Sequence, residues 1–135
     1  EDHSATSLPY FIESKYAFVL DYCPVHQKDD ENEVLNSSDD LPIVMYRGGS
    51  YLLHEELKNF FDGLYKQVKF VKGFLGGRTV HKLEPSNFED SGRVKAVNLC
   101  IPAYGYHAGV YAIKKKAIEN FYSFLNKALE EILKL

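Results

Sequence analysis

Cysteine is scarce in this chain of 135 residues: Cys23 and Cys100 are the only two. Two thiols cannot build a disulfide scaffold, and these two stand too far apart for a Cys-x-x-Cys site. Both are expected as buried thiols in a reducing, cytoplasmic setting. Long apolar runs are missing too, and no stretch approaches the roughly 18 residues that would suggest a membrane span. Basic excess is also lacking. Sixteen Lys and Arg stand against nineteen Asp and Glu, a formal net charge of -3, which gives a phosphate backbone nothing to bind. Neither a nucleic acid nor a membrane is an expected partner. An initiator Met is absent: the chain opens Glu1-Asp2-His3, without the basic and apolar regions of a signal peptide, so sequence is expected to have been removed upstream. No Ser stands in a GxSxG elbow, neither Cys has an evident His partner, and neither Gly48-Gly49 nor Gly76-Gly77 belongs to a phosphate-binding loop. Covalent nucleophilic catalysis and phosphate-loop chemistry therefore have no support.

What is present is an ordinary globular balance, 45% hydrophobic and 26% charged, at a length suited to one domain over residues 1–135. Tyr16–Asp21 (YAFVLD) and Leu41–Tyr46 (LPIVMY) are short apolar runs with β-branched and aromatic members, the pattern of buried strands. Val68–Leu75 is a third strand, stopped by the turn Gly76-Gly77, and Val94–Ile101 (VKAVNLCI) a fourth, ended by Pro102. Ser50 is placed to cap a helix over residues 51–67 with Leu53, Leu57, Phe60, Phe61 and Leu64 on one stripe. From about Lys114 onward, Ile118, Phe121, Tyr122, Leu125, Leu129 and Ile132 recur at helical spacing, which predicts a long amphipathic helix packed across the sheet. The polar stretch Gln27–Asp40 is a loop. Strands alternating with helices define a layered α/β domain, whose sites gather where loops leave the carboxyl ends of strands.

Asp21 and His107 fall at such ends. Asp21 closes an apolar strand, where a carboxylate needs a partner, exposure or a metal. His107 sits among small and aromatic residues that can hold an imidazole still with one nitrogen open, although a loop His can equally be just exposed. In the acidic pair Glu1-Asp2, one carboxylate can bind a metal while the other takes a proton from water; the alternative is a solvated terminus. His3, His26, His54 and His81 have no partner at useful spacing, and His54 is expected on a solvated helix face.

Taken in order, the acidic pair Glu1-Asp2, the strand Tyr16–Asp21, the strand-helix unit from Leu41, the turn Gly76-Gly77-Arg78-Thr79, and Ile101-Pro102 leading to His107 and Val110 form a series. It resembles the di-zinc aminopeptidases of the glutamyl and deblocking type, whose members often assemble into tetrahedral particles. The resemblance covers nearly the whole chain and places it in the carboxyl-terminal part of such a catalytic domain. It implies a three-layer αβα sandwich with a mixed, mostly parallel sheet and flanking helices. It implies removal of amino-terminal residues from peptide substrates by a water activated between two zinc ions, in a homo-oligomer. On this pattern Glu1 is the general base, Asp2 and His107 bind one zinc, and Asp21 binds the other. The chain also departs from the family. The first His ligand and the bridging Asp have no counterpart here, Val80 and Tyr111 stand where the family carries acids, and Asp2 replaces a longer Glu. The alternative is a catalytically inactive, peptidase-like binding module; a third reading is a small α/β domain with solvated acids and an exposed His107.

Overall fold

Among the described residues, apolar runs of β-branched and aromatic residues pair into one sheet, and two amphipathic helices pack on it. In the computed structural model, which describes residues 13–25, 32–34, 38–48, 51–77, 94–104 and 112–135, the elements run β1 (Tyr16–Pro24), β2 (Asn32–Val34), β3 (Ile43–Gly48), β4 (Tyr51–Leu52), α1 (Glu55–Leu64), β5 (Val71–Gly77), β6 (Lys95–Ala103) and α2 (Lys115–Ile132). The six strands form a single sheet in the order β1-β6-β3-β5-β2, with β4 paired to β3. β1 and β6 are parallel, as are β3 and β5, and the two pairs meet in an antiparallel junction between β3 and β6. The parallel pairings are the long ones: β1 meets β6 from Tyr16 opposite Lys95 to Pro24 opposite Ala103. The fold is thus the expected α/β type with a mixed sheet whose pairing is mostly parallel.

Register sorts the side chains by face, because successive residues of a strand point to opposite sides. Phe18, Val97, Leu99, Val44 and Lys72 share one face, and both helices pack on it: Phe61 of α1 lies 6.0 Å from Phe18 and 6.4 Å from Phe124 of α2, ring centre to ring centre. Leu57, Phe61 and Leu64 form the buried stripe of α1, and Ala117, Phe124, Ala128 and Ile132 that of α2. The other face carries Ala17, Val19, Asp21, Ala96, Asn98, Cys100, Ile43 and Met45. Ile43, Met45, Ala96, Asn98 and Cys100 are buried there too, so the sheet is covered on both sides as the middle of a sandwich must be.

Several boundaries move, each for a physical reason. The helix expected from Ser50 begins only at Glu55, because Tyr51 pairs back onto Gly48 and buries its ring, its hydroxyl donating to the Ala96 carbonyl at 3.4 Å. His54, not Ser50, is the cap: its Nδ1 accepts the Glu56 N–H at 3.2 Å, while Glu55 and Glu56 place negative charge at the positive end of the helix. Gly76 and Gly77 are not a turn but the end of β5, opposite Glu33 and Asn32 of β2, a short strand within the expected loop. Pro102 does not end β6. β3 has already left that edge at Ile43 opposite Cys100, so no ladder bond toward β3 is lost to the missing N–H. Cys23 and Cys100 are buried thiols outside any disulfide, as expected.

Candidate functional site

The parallel pairing of β1 with β6 is what positions the candidate residues. It makes both strands run toward one end of the sheet, where Val25 N–H donates to the Ala103 carbonyl at 3.1 Å. Asp21 lies opposite Cys100, and the strand runs on for three residues beyond it, so Asp21 is inside β1 rather than at its end. The carboxylate is half-buried, with Oδ1 accepting the Tyr22 N–H at 2.7 Å. On the same face one pleat back, Asn98 is buried and its Oδ1 is a buried acceptor with no hydrogen-bond donor among the described residues. Such orphans are uncommon, because an unmet buried polar atom costs about 1–3 kcal/mol.

Just past β6, Tyr104 and Ala112 exchange two backbone hydrogen bonds of 2.8 and 3.0 Å, pinching together the two ends of the segment 105–111. Asp39 ties both flanks of that segment. Its Oδ2 accepts the Tyr104 hydroxyl at 2.7 Å and the Lys114 Nζ at 2.7 Å. Lys114 first and Tyr104 second hold the Asp39 carboxyl below its ordinary value, and Asp39 raises both partners in return. One residue on, the Asp40 carbonyl accepts Asn120 Nδ2 of α2 at 2.8 Å.

Two further carboxylates are held in the same way on the helix-covered side. Glu56 accepts Lys95, Tyr16 and, at 3.2 Å, Lys15, joining the start of α1 to the starts of β1 and β6; these partners, Lys95 foremost, pull it down to about 2. Asp62 accepts the Tyr46 hydroxyl at 2.8 Å and Lys72 Nζ at 2.9 Å, and Lys72 also lies over the Tyr46 and Tyr65 rings. Lys72 holds Asp62 below the usual carboxylate range, while burial and then Asp62 push the Tyr46 phenol far up.

Of the four residues singled out in the sequence, Asp21 alone is described; Glu1, Asp2 and His107 lie outside the described residues, as do Val80 and Tyr111. Among the described residues no group of three His, Cys, Asp or Glu side chains could hold a metal ion. Asp21 by itself is not a metal site, and no chemical step through a metal follows from it. Asp39, Tyr104 and Lys114 escaped notice because their contacts join residues 65 and more positions apart. Asn98 had a signal: it is the one uncharged polar residue in the run VKAVNLCI.

No family model matches this chain, and no curated protein matches it either. Solved structures do. A TET aminopeptidase from a marine-sediment archaeon of the Thaumarchaeota superposes with a TM-score of 0.75 at 17% identity, covering 97% of this chain and 36% of its own. PhTET1-12s, described as a dodecamer in the asymmetric unit, gives 0.67 at 19% identity, covering 95% of this chain and 37% of its own. Likeness at these identities establishes a shared fold, the mixed-sheet α/β sandwich of those proteins. The present chain spans little more than a third of the length of either.

Proposed function

We propose that this chain is part of a metallo-aminopeptidase of the tetrahedral type, releasing amino-terminal residues from peptides, in a cytoplasmic homo-oligomer. The observation that carries the reading is the likeness of fold over nearly the whole chain to two TET structures, one of them a dodecamer; the parallel pairing of β1 with β6, the strands that carry Asp21 and lead toward His107, is in keeping with it. Zinc is the metal the sequence resemblance implies. On this proposal Asp2, Asp21 and His107 are ligands and Glu1 is the base that holds the proton taken from water; a bound metal would supply the polarisation of that water. Further ligands have to come from outside this chain's described residues.

Metal analysis of the protein after zinc loading and dialysis tests the reading, alongside hydrolysis of aminoacyl anilides. The expected outcome is about one zinc or more per chain, with hydrolysis lost in His107→Ala. Zinc held substoichiometrically would refute it. The binding-module reading has one observation in its favour, the place of Asp21 inside β1 with Tyr22 N–H on its carboxylate. Its signature is full zinc or peptide binding with no turnover.

A further inference from the structure

α2 carries more apolar surface than the sheet covers. Its inner stripe, Ala117, Phe121, Phe124, Ala128 and Ile132, faces the core. A second stripe runs beside it through Ile118, Tyr122, Leu125 and Leu129, at steps of four, three and four residues, the spacing of a seam that receives another helix. Ile118 is 52% exposed, Tyr122 69% and Leu129 44%, while Leu125 between them is partly buried against the core, so the described elements of this chain leave most of that seam uncovered. A contiguous apolar strip of this kind on an otherwise charged helix marks an interaction surface.

The charges say what fits it. Along the outer flank of the stripe run Lys115, Glu119, Asn126 and Glu130, each about one helical step from the exposed apolar residues. Positive charge collects at the start of α2, in Lys114, Lys115 and Lys116, and negative charge at its end, in Glu130 and Glu131. That is the wrong way round for the helix's own dipole, which favours acids at the start and bases at the end. Lys114 is used by Asp39, and Glu131 by Lys127 and Lys134, but Lys115 and Glu130 make no ion pair among the described residues. An antiparallel copy of the same helix corrects both faults at once. Laid about a two-fold axis midway between Tyr122 and Leu125, Ile118 meets the partner's Leu129 and Tyr122 meets the partner's Leu125. At about 1.5 Å rise per residue, Lys115 then lies within about 3 Å, along the axis, of the partner's Glu130.

We propose that α2 is the contact helix of a homodimer, packed antiparallel on the α2 of a second copy through Ile118, Tyr122, Leu125 and Leu129, with Lys115 and Glu130 paired across it. The proposal gives the homo-oligomer of the preceding reading a surface, and it rests on α2 alone, so it stands whether or not the protein is a peptidase. A strip of four side chains is smaller than the roughly 800 Å² per partner of a standard interface, so the pairing is of the weak class.

Sedimentation velocity of the protein from about 1 to about 500 µM, a span suited to a small interface, tests it. The wild type is expected to associate through α2, to a dimer or, where the preceding reading also holds, to a larger assembly, and Tyr122→Glu to lose that contact with an unchanged far-UV spectrum, since the site is exposed. Lys115→Glu and Glu130→Lys are each expected to weaken the dimer about tenfold, and the double variant to recover most of that loss, because the swap rebuilds both pairs. Monomer throughout the range, or association untouched by Tyr122→Glu, overturns the proposal. A double variant no tighter than the single ones overturns the antiparallel arrangement.

Discussion

Replacing Gly73 by alanine probes the sheet face away from the helices. A Cβ at Gly73 would lie 2.7 Å from Ile43 Cγ2, 3.2 Å from Met45 Sδ and 3.4 Å from Met45 Cε. Optimal carbon contacts are about 3.5–4.0 Å, so the first contact is too short by close to an ångström. Met45 can yield, because its sulfur and terminal methyl end a flexible chain. Ile43 yields less readily: Cγ2 hangs directly on Cβ of a fully buried, β-branched residue, so it moves only by a disfavoured χ1 change or with the backbone of β3. Two effects compete. Alanine for glycine at a compatible backbone position stabilises by about 0.4–1 kcal/mol through the unfolded chain, while overpacking costs about 1–3 kcal/mol. The second is larger, and Gly73→Ala is expected to lose about 1–2 kcal/mol net. The coupling is more telling than the loss. Ile43→Ala alone should cost about 2–5 kcal/mol by leaving a cavity; in the double variant the new methyl at residue 73 meets no Cγ2 and fills part of that cavity. Urea unfolding followed by far-UV circular dichroism, with m-values checked for constancy, should show the double variant less destabilised than the sum by about 1 kcal/mol or more. Additive losses within about 0.5 kcal/mol, or a more stable Gly73→Ala, would refute the packing of Gly73 against Ile43.

Phe61→Ala removes the ring that meets Phe18, Phe60, Phe70 and Phe124, and should cost about 3–5 kcal/mol in the same assay, a large share of a small domain's stability. His54→Ala deletes the acceptor for the Glu56 N–H and should lose about 1 kcal/mol, with His54→Asn recovering much of it. Glu56 is depressed from an ordinary 4.5 to about 2, so the stability it contributes is fully present above pH 4.5 and lost as pH falls toward 2. Glu56→Gln should therefore unfold more easily at neutral pH and show a flatter acid limb between about pH 4.5 and about 2; an acid limb identical to wild type would dismiss the Lys95–Glu56–Tyr16 cluster as a stabilising contact.

The strongly patterned elements were legible in the sequence. LPIVMY and VKAVNLCI gave β3 and β6 within a few residues, and the stripe from Ile118 to Ile132 gave α2 almost to its ends. β2 was not legible, since Asn32-Glu33-Val34 has no apolar face and exists only because β5 offers an edge to it. β4 was misread because Leu53 and Leu57 fit one helical stripe, and periodicity cannot register that Tyr51 has a better partner in Gly48. Nor does periodicity contain the strand order: nothing in YAFVLD says that it lies beside VKAVNLCI rather than LPIVMY. Asp21 was noticed as an acid in an apolar run, but its place inside the strand depends on Tyr22, Cys23 and Pro24 continuing to pair with β6.

Perturbed titration often marks a functional site, yet here it marks the frame instead. Glu56, Asp62 and Asp39 each accept one tyrosine hydroxyl and at least one lysine ammonium, and each joins segments that are distant in sequence: α1 to the starts of β1 and β6, α1 to β3 and β5, and the turn before β3 to the far end of β6. A carboxylate so occupied is poorly placed to move a proton or take a ligand, because doing so would first have to break contacts that hold the fold. Glu56 and Asp62 lie on the side covered by the helices, and Asp39 at the foot of segment 105–111. The opposite face of β1 and β6 differs. There Asp21 stands half-buried near Asn98, whose oxygen lacks, among the described residues, the donor that burial normally demands. A cluster with every bond already made stabilises; an unmet buried acceptor is where a water, a side chain or a ligand group has something to gain. Asn98→Leu, which fills the space without the polar atom, should therefore leave stability nearly unchanged or raise it in urea unfolding, and a loss of about 1 kcal/mol or more would refute the unmet acceptor.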